Sequence, residues 1–371
     1  MLRDLKVIEL ASVLAGPSVG QFFAELGADV IKVENLRTGG DVTRTWKSSG
    51  EQTDDRSAYF SAVNWGKRSL ALDLTQPEGR EIVYKLVRRS DIVIASYKPG
   101  DAEKLAMDYA TLRKLNPRII YGQITGYGSD DERVGYDAVI QAEAGFMSMN
   151  GEPGGKSLRM PVALIDILAS HQLKEGILLS LIRRMQTGEG CYVEVSLIQA
   201  AISSLANQAT NWLMAGHLPG KEGSSHPNIA PYGDSFTTSD GGEILLAVGN
   251  DKQFQDLCSI LGLSEIASAP GFINNQARVH NRQQLNELIQ DKIKRWPSDE
   301  LIRLLRLKKI PAGLIYNLRQ VFEQKEALPL ILEAGAVSGV RNYVGNVDRP
   351  LNLTPPPHFG EHTMSIIRSL D

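Results

Sequence analysis

The sequence predicts an α/β protein with a Rossmann-like parallel sheet in a large domain and a smaller α+β domain after it. The first observation is that short β-branched runs alternate with helical patterns, which is typical of consecutive βαβ units. The second is that Gly27 closes the first helical pattern directly before the next apolar run. The predicted strands span 6–10, 29–34, 69–72, 91–95 and 118–122, and the predicted helices between them span 17–26, 77–89 and 102–115. Ligands of such a sheet bind outside the carboxyl ends of its strands.

The third observation is that the βαβ pattern ends and a hairpin pattern begins after residue 233. A stretch rich in Gly, Ser, Pro and Asn follows two further helical patterns at 167–185 and 197–215, and it indicates a loop and domain boundary. The runs 234–238 and 243–248 then flank a hairpin signal. We therefore expect a large α/β domain at 1–215, a linker or active-site loop at 216–233, a small α+β domain at 234–325, and a C-terminal return to the large domain at 326–371.

Composition narrows the class of protein. The chain has 371 residues, of which 42% are hydrophobic and 22% are charged, so it can bury a large core. A formal net charge of -3 without a basic block argues against nucleic acid or a membrane surface as a partner. The two cysteines form no CxxC, and no signal-peptide core or membrane-length apolar run is present. These features predict a cytoplasmic protein.

Asp166 is the strongest candidate for a functional residue. It stands in the run 160–169, where every neighbour is apolar or small. Burying an ionised carboxylate there without partners costs on the order of several kcal/mol. Asp166 could cap the helix predicted from residue 167, which does not exclude a catalytic role. At that position the helix dipole would keep the carboxylate ionised, as a poorly hydrated oxygen nucleophile.

Five cations in loops suggest a site for several phosphates. They are expected on the side of the sheet where a phosphorylated ligand would lie, although each alone could be a solvated surface charge. The candidates are Arg37, Arg44, Lys67, Arg68 and Lys98. The first βα turn lacks the GxGxxG pattern, because Gly16 stands alone before Pro17, so a nicotinamide dinucleotide is disfavoured.

Three further residues are candidates for substrate binding. Gly128 belongs to a Gly-Tyr-Gly run whose backbone N–H groups could face an oxyanion, and Tyr136 follows shortly after it. The alternative is an ordinary turn and a tyrosine at the edge of a core. His226 is a loop histidine unless a substrate carboxylate lies near it. The HxxEH pattern at 358–362 is interrupted by Gly360 and follows three prolines, so we expect no metal site.

In these residues the chain resembles the class III coenzyme A transferases, also called the CaiB/BaiF family. The resemblance is carried in order by segments 14–17 (LAGP), 26–34 (LGADVIKVE), 40–44 (GDVTR), 64–69 (NWGKRS), 126–128 (GYG), 136–137 (YD), 161–166 (PVALID) and 360–363 (GEHT). It implies that Asp166 is the catalytic nucleophile and forms aspartyl anhydride and aspartyl-CoA thioester intermediates. It also implies that Arg37, Lys67, Arg68 and Lys98 contact coenzyme A, which acts as co-substrate without a permanent cofactor.

The resemblance further implies an interlocked homodimer with the active site near the subunit interface, acting on an acyl-CoA and a free carboxylic acid. Leu14 replaces a glutamine of formyl-CoA transferases, and residues 223–233 replace a run of glycines, so a larger acid is expected, with a dicarboxylic acid as one candidate. Two alternatives remain. An α-methylacyl-CoA racemase would use a histidine where this chain has Tyr136, and a tyrosine pKa near ~10 suits proton exchange poorly. The other is a catalytically silent CoA-binding protein.

Overall fold

The computed structural model describes residues 2–345 and 351–370. The strands in these ranges are β1 Lys6–Leu10, β2 Asp29–Asn35, β3 Lys67–Leu72, β4 Ile92–Ala95, β5 Ile120–Thr125, β6 Cys191–Ser196, β7 Tyr232–Thr237, β8 Glu243–Ala247, β9 Ala312–Leu314, β10 Ile331–Ala334 and β11 Val337–Val340. The α-helices are α1 Ala15–Glu25, α2 Ala58–Ser61, α3 Pro77–Val87, α4 Asp101–Lys104, α5 Tyr109–Leu115, α6 Asp137–Glu143, α7 Phe146–Met149, α8 Leu164–Thr187, α9 Leu197–Ser203, α10 Ala206–Ala215, α11 Asp251–Leu261, α12 Ser264–Ser268, α13 Asn275–His280, α14 Arg282–Ile293, α15 Ser298–Leu307, α16 Leu318–Phe322 and α17 Thr363–Arg368.

The chain divides into two compact units. The first contains Met1–Phe146, Arg159–His217 and Leu328–Asp371, and the second contains Met147–Leu158 and Leu218–Ala327. The second unit therefore takes a short segment from a part of the chain that the sequence assigns to the large domain. No helix in the described part of the chain is both long and apolar enough to span a bilayer.

A six-stranded parallel sheet forms the centre of the first unit. Its strand order is β3-β2-β1-β4-β5-β6, and every neighbouring pair is parallel. The order reverses between β1 and β4, which is where doubly wound folds place their ligands. The predicted α/β class and the five predicted strands are thus confirmed. The sixth strand, β6, was not predicted, although its alternating Tyr192, Val193, Glu194 and Val195 are typical of a partly exposed edge strand.

Two apolar layers cover the sheet, because side chains alternate between its faces along each strand. Val7 of β1 faces the layer that holds α1, α8 and α9, while its neighbour Ile8 faces the layer that holds α3 and α5. The predicted helix 102–115 is divided into α4 and α5. The reason is that Asp108 accepts a hydrogen bond from the backbone N–H of Thr111 and starts a new helix.

The second unit contains an antiparallel sheet in the order β7-β8-β9. The predicted hairpin is confirmed, since β7 and β8 pair antiparallel on either side of the turn at 238–242. Side chains of α11, α14 and α15 form the apolar core of this unit with β8, including Phe254, Leu285 and Leu301.

Candidate active site

Asp166 lies in the first turn of α8, at the third helical position, and only 8% of its surface is exposed. The expectation that it caps this helix is wrong, because the helix begins at Leu164 and the capping position is Ala163. Within the described residues, its carboxylate has no hydrogen-bond or ion-pair partner. Burial, followed by the charge of Asp137, raises its pKa from 3.8 to about 7. Because Asp166 is not the cap, the expectation that the helix dipole at a capping position keeps it ionised does not apply, and its pKa is raised instead.

Asp137 performs the capping that the sequence assigned to Asp166. Its Oδ2 accepts the backbone N–H of Ile165 at 2.7 Å and that of Asp166 at 3.4 Å. Its Oδ1 accepts from Nε2 of Gln141 at 2.6 Å, and Oε1 of Gln141 accepts the N–H of Met160 at 2.8 Å. Sequence reasoning missed Gln141, although its spacing of four residues from Asp137 places both on one helix face.

Helix α1 runs beside α8 in the same direction. Oγ of Ser170 lies 3.4 Å from Oγ of Ser18, and four residues further along each helix Nζ of Lys174 lies 5.4 Å from the ring centre of Phe22. Four residues are about one helical turn. One turn before Ser18 and Ser170, Leu14 and Asp166 therefore lie at the same height along the two helices. The start of α1, which has no side-chain cap, thus lies beside the start of α8.

Two tyrosines are associated with this region. Tyr136 immediately precedes α6 and is 55% exposed. Tyr59 of α2 is half-buried, and its pKa is raised by burial and then by the charges of Asp166, Asp137 and Asp41. Its hydroxyl group is therefore neutral at physiological pH and close to acidic groups. No sequence pattern singled out Tyr59, because it belongs to a helix of only one turn.

The remaining two candidates for substrate binding have internal partners. The N–H of Gly128 donates to Oγ1 of Thr125 at 3.1 Å, so this group is not a free oxyanion donor. His226 belongs to the second unit, where its Nδ1 accepts the N–H of Asn228 at 3.2 Å and its ring packs edge-on against Tyr232.

A cavity of about 500 Å³ opens at the carboxyl ends of β1, β2 and β3. Its lining includes Ser12 after β1, Asn35 at the end of β2, Asp73 after β3 and Tyr97 after β4. This is the edge of the sheet at which the sequence predicts a ligand. The cavity has the volume expected for a small-molecule site.

Two of the predicted phosphate ligands are fully engaged inside the first unit. Nζ of Lys67 contacts Oε2 of Glu9 at 2.7 Å, the carbonyl of Pro17 at 2.8 Å and Oδ1 of Asn64 at 2.9 Å. Arg44 uses all its N–H groups on Glu34, Asp55 and the carbonyl of Pro357. Neither side chain has a free donor for a phosphate, which corrects the sequence-based expectation for both.

The other predicted phosphate ligands differ in position and partners. Arg68 lies near the beginning of β3, not after a strand, and forms a two-point ion pair with Asp29. Arg37 and Lys98 are exposed and form no ion pair within the described residues. The charge of Arg37, after two hydrogen bonds from Thr75, helps to lower the pKa of Asp73 in the cavity lining. Lys98 lines a smaller cavity next to Tyr97. Of the five predicted cations, Arg37 and Lys98 are thus the two that have no ion-pair partner among the described residues.

A buried ionic network supports the turn before α1. Nζ of Lys32 contacts Oε1 of Glu9 and Oδ2 of Asp41, both at 2.9 Å. Burial lowers the pKa of Lys32, but Asp41, Glu9 and then Glu34 outweigh burial and raise it overall. Asp41 also accepts the N–H of Val13, whose φ of +71° is strained for a β-branched residue. The network therefore holds a strained turn directly before Leu14.

The residues of the HxxEH pattern have separate partners. Nδ1 of His362 accepts the N–H of Ser69, while Nδ1 of His358 pairs with Asp55 at 2.5 Å. Potential ligand atoms of Asp54, Asp55 and His358 lie within 4.8 Å of one another. Both carboxylates already form ion pairs with arginines, which balance their negative charge.

A doubly wound α/β unit with a cavity at the carboxyl ends of its strands, and with a buried carboxylate that has no partner among the described residues, is typical of α/β enzymes that bind a small molecule at this edge of the sheet. Comparison with known proteins narrows this class. Residues 2–363 match CoA-transferase family III, and the chain belongs to this family as a class III CoA-transferase. It is 39% identical, over 100% of its length and 96% of the relative, to a succinate–glutarate CoA-transferase of Agrobacterium fabrum.

Other relatives agree with this placement. The chain is 32% identical to the human succinyl-CoA:glutarate CoA-transferase over 100% of its own length and 86% of that protein. It also resembles the crystal structure of a CaiB/BaiF family protein from Brucella suis, with a TM-score of 0.91 and 40% identity over 100% of this chain and 99% of the other.

Proposed function

We propose that this protein transfers coenzyme A from an acyl-CoA donor to a free carboxylic acid through covalent intermediates on Asp166. The observation that supports this most is a nucleophile-type carboxylate that is buried, fixed in the first turn of α8 and without an internal partner. Structural carboxylates in such surroundings are normally paired, because an unpaired buried charge is costly. An unpaired one is available for reaction.

The reaction proceeds in four displacements. A carboxylate oxygen of Asp166 attacks the thioester carbonyl, the C–S bond breaks, and CoA thiolate departs. The donor acyl group is then joined to Asp166 as a mixed anhydride. The thiolate attacks the aspartyl carbonyl and releases the donor acid, giving an aspartyl-CoA thioester. The acceptor carboxylate attacks the aspartyl-CoA thioester, which releases the thiolate and forms a second mixed anhydride. The thiolate then attacks the acceptor acyl carbonyl of this anhydride, which forms the new acyl-CoA and releases the Asp166 carboxylate. Asp166 is regenerated, and no net proton or electron is consumed.

Burial of Asp166 serves this chemistry in two ways. A carboxylate whose pKa is about 7 is more basic than a solvated one, and its oxygen is therefore more nucleophilic when ionised. The mostly apolar surroundings also limit the access of water, which would otherwise hydrolyse the anhydride and the thioester. The uncapped start of α1 adds backbone dipoles beside the reacting carbonyl, where negative charge develops.

Dicarboxylic acids are the proposed substrates. The relatives named above are a succinate–glutarate and a succinyl-CoA:glutarate transferase. Leu14, which lies level with Asp166, offers an apolar surface that suits the methylene chain of such an acid. Tyr136 is proposed to contact the acid, because it belongs to the segments that carry the family resemblance. For His226, contact with a substrate carboxylate stays a prediction.

A panel of acyl-CoA donors and free acids, read by mass spectrometry for new thioesters, tests the proposal. We expect succinyl-CoA and a five-carbon dicarboxylate to give exchange, and hydroxylamine added with the donor to label Asp166. No new thioester with any donor would refute transferase activity. Exchange of the α-hydrogen with solvent in place of new thioesters would instead support the racemase.

Arg37 and Lys98 are proposed to bind the phosphates of coenzyme A, with the nucleotide in the 500 Å³ cavity. Changing Arg37 to Gln should raise the KM for acyl-CoA roughly three- to tenfold at low salt, and the difference should shrink as salt screens the charge. Arg3→Gln is the matched control, because Arg3 is exposed and precedes the amino end of β1. An equal rise in KM in both variants would contradict a local phosphate contact.

We also propose a homodimer. Helix α10 has no buried residue, and its Trp212, Leu213 and Met214 are 53%, 77% and 86% exposed. Leu179 and Met185 of α8 are exposed as well. Apolar patches of this kind indicate a protein interface. Light scattering should give twice the chain mass, and a monomer at micromolar concentration would contradict the proposal.

A reducing, cytoplasmic location is proposed from the cysteines. Cys191 and Cys258 are both free thiols, and Cys258 is buried. Free thiols persist where glutathione and thioredoxin keep them reduced. Fractionation of cells that express the protein would test this location.

A further inference from the structure

A chain of hydrogen bonds with one possible direction links α6 to the start of α8. The backbone N–H of Met160 can only donate, so the atom of Gln141 that faces it at 2.8 Å must be the amide oxygen. The amide nitrogen of Gln141 then donates to Oδ1 of Asp137 at 2.6 Å. The backbone N–H of Ile165 donates to Oδ2 of Asp137 at 2.7 Å. Gln141 is 1% exposed, so water does not compete for these bonds.

The direction of these bonds favours a negative charge on Asp137. Both of its oxygens accept from N–H groups, and hydrogen bonds of this kind stabilise the ionised form of a carboxyl group. A second negative charge on the neighbouring Asp166 is disfavoured, since like charges in a poorly hydrated region repel. The charge of Asp137 thus adds to burial in raising the pKa of Asp166.

The other titratable groups near this pair do not cancel the charge of Asp137. Tyr59 of α2 faces both acids with a neutral hydroxyl group. His171 and Lys174 lie further along α8, and the charge that Lys174 meets on α1 is that of Glu25. Glu143 at the end of α6 accepts from the hydroxyl of Tyr127. The nearest formal charge to Asp166 is accordingly that of Asp137.

We propose that Gln141 and Asp137 are positioning residues for Asp166: they fix the start of its helix and hold a negative charge beside the nucleophile. This inference rests on the proposed function and deepens it. Acylation converts Asp166 from an anion to a neutral anhydride or thioester, which removes the repulsion from Asp137. The fixed charge therefore raises the energy of the free anionic enzyme relative to its acylated forms and favours acylation.

The pH dependence of kcat/KM, measured with succinyl-CoA and glutarate, tests the charge of Asp137. The wild-type rate should fall as pH decreases below about 7, where Asp166 takes up a proton. In Asp137→Asn this acidic limb should move to lower pH by about one pH unit, because the repelling charge is gone. Glu143→Gln is the matched control, since it removes a charge of the same helix that pairs with Tyr127 and Arg133, and its acidic limb should stay in place.

Gln141→Leu tests the hydrogen-bond chain separately from the charge. It removes the donor to Oδ1 of Asp137 and the acceptor for Met160, while the charge remains. We expect kcat to fall roughly tenfold with an unchanged KM for the acyl-CoA, because the start of α8 loses its fixed position. A proportional loss of folded protein with normal kcat per folded molecule would overturn the positioning role of Gln141.

A titration by carbon-13 NMR keeps the inference independent of activity. Aspartate carboxyl carbons are labelled, and the signal of Asp166 is assigned by its absence in Asp166→Asn. The midpoint of this signal should be near neutral pH in the wild type and lower in Asp137→Asn. An unchanged midpoint would overturn the inference. Wild-type protein that titrates as expected but transfers no CoA would refute the proposed function alone.

Discussion

Asp166→Asn is expected to lower the rate of CoA exchange by roughly 10⁴-fold or more, because the amide nitrogen and oxygen cannot replace the attacking carboxylate. The substitution preserves the size of a side chain that is only 8% exposed, so the fold and the affinity for CoA should remain. Thioester formation measured by mass spectrometry, together with CoA binding measured by calorimetry, checks both parts. Exchange at the wild-type rate would show that another group is the nucleophile.

The same substitution is also expected to change how the free energy of unfolding depends on pH. Asp166 has a pKa of about 7 in the folded protein against a usual 3.8, so the folded state binds its proton more tightly than the unfolded chain does. Stability is consequently lost as pH rises from about 4 to about 7 and stays lost above it. Each pKa unit corresponds to about 1.4 kcal/mol, which gives up to about 4 kcal/mol.

Asn carries no charge at any of these pH values, so Asp166→Asn avoids this loss. Urea unfolding should show similar stability for both proteins near pH 4 and a more stable variant at pH 8. A variant that is less stable at pH 8 would mean that the carboxylate has a stabilising partner. The expected gain in stability with loss of activity is typical of a strained active-site residue.

Lys32→Met should destabilise the protein by about 3–5 kcal/mol, the largest stability effect that we expect. The side chain of Lys32 is 1% exposed and neutralises Glu9 and Asp41 at 2.9 Å each. Methionine has a similar length but no charge, so it leaves two poorly hydrated carboxylates around one remaining cation, Lys67. The change in the free energy of unfolding can be measured by urea titration at constant protein concentration.

Lys104→Met is the matched control for this measurement. Lys104 pairs with Asp101 at 3.0 Å, but its side chain is 76% exposed, and such surface pairs contribute at most about 1 kcal/mol. The same chemical change should therefore have little effect at this position. If Lys32→Met were as mild as Lys104→Met, the ionic network would not support the turn before α1.

The local sequence pattern was sufficient for the elements of the sheet. Strand β1 has the predicted bounds, and β2 and β4 differ from prediction by one residue each. Such runs are predictable because their apolar side chains are adjacent in sequence and repeat with a fixed period. The sequence pattern did not predict the edge strand β6, because only some of its side chains are buried and its apolar pattern is therefore weak.

The sequence could not show which of the predicted phosphate-binding cations are already paired in the folded protein. Lys67 and Arg68 are the first two residues of β3, and the position of a lysine in sequence does not indicate whether Glu9 lies near it in space. Glu9, the ion-pair partner of Lys67, is 58 positions away in sequence, and one backbone partner of Arg44 is Pro357. Only folding brings these groups together. Sequence could therefore suggest a phosphate site, but only the structure shows that Arg37 and Lys98 form no ion pair within the described ranges.

The sequence by itself determined the α/β class, the parallel strands and the candidate nucleophile, because each depends on residues close together in the chain. The tertiary structure alone decided the surroundings of Asp166. The cap from Asp137, the link through Gln141 and the parallel start of α1 join segments separated by many residues. The proton affinity of a carboxylate depends on hydration and nearby charges, and both are properties of the folded arrangement.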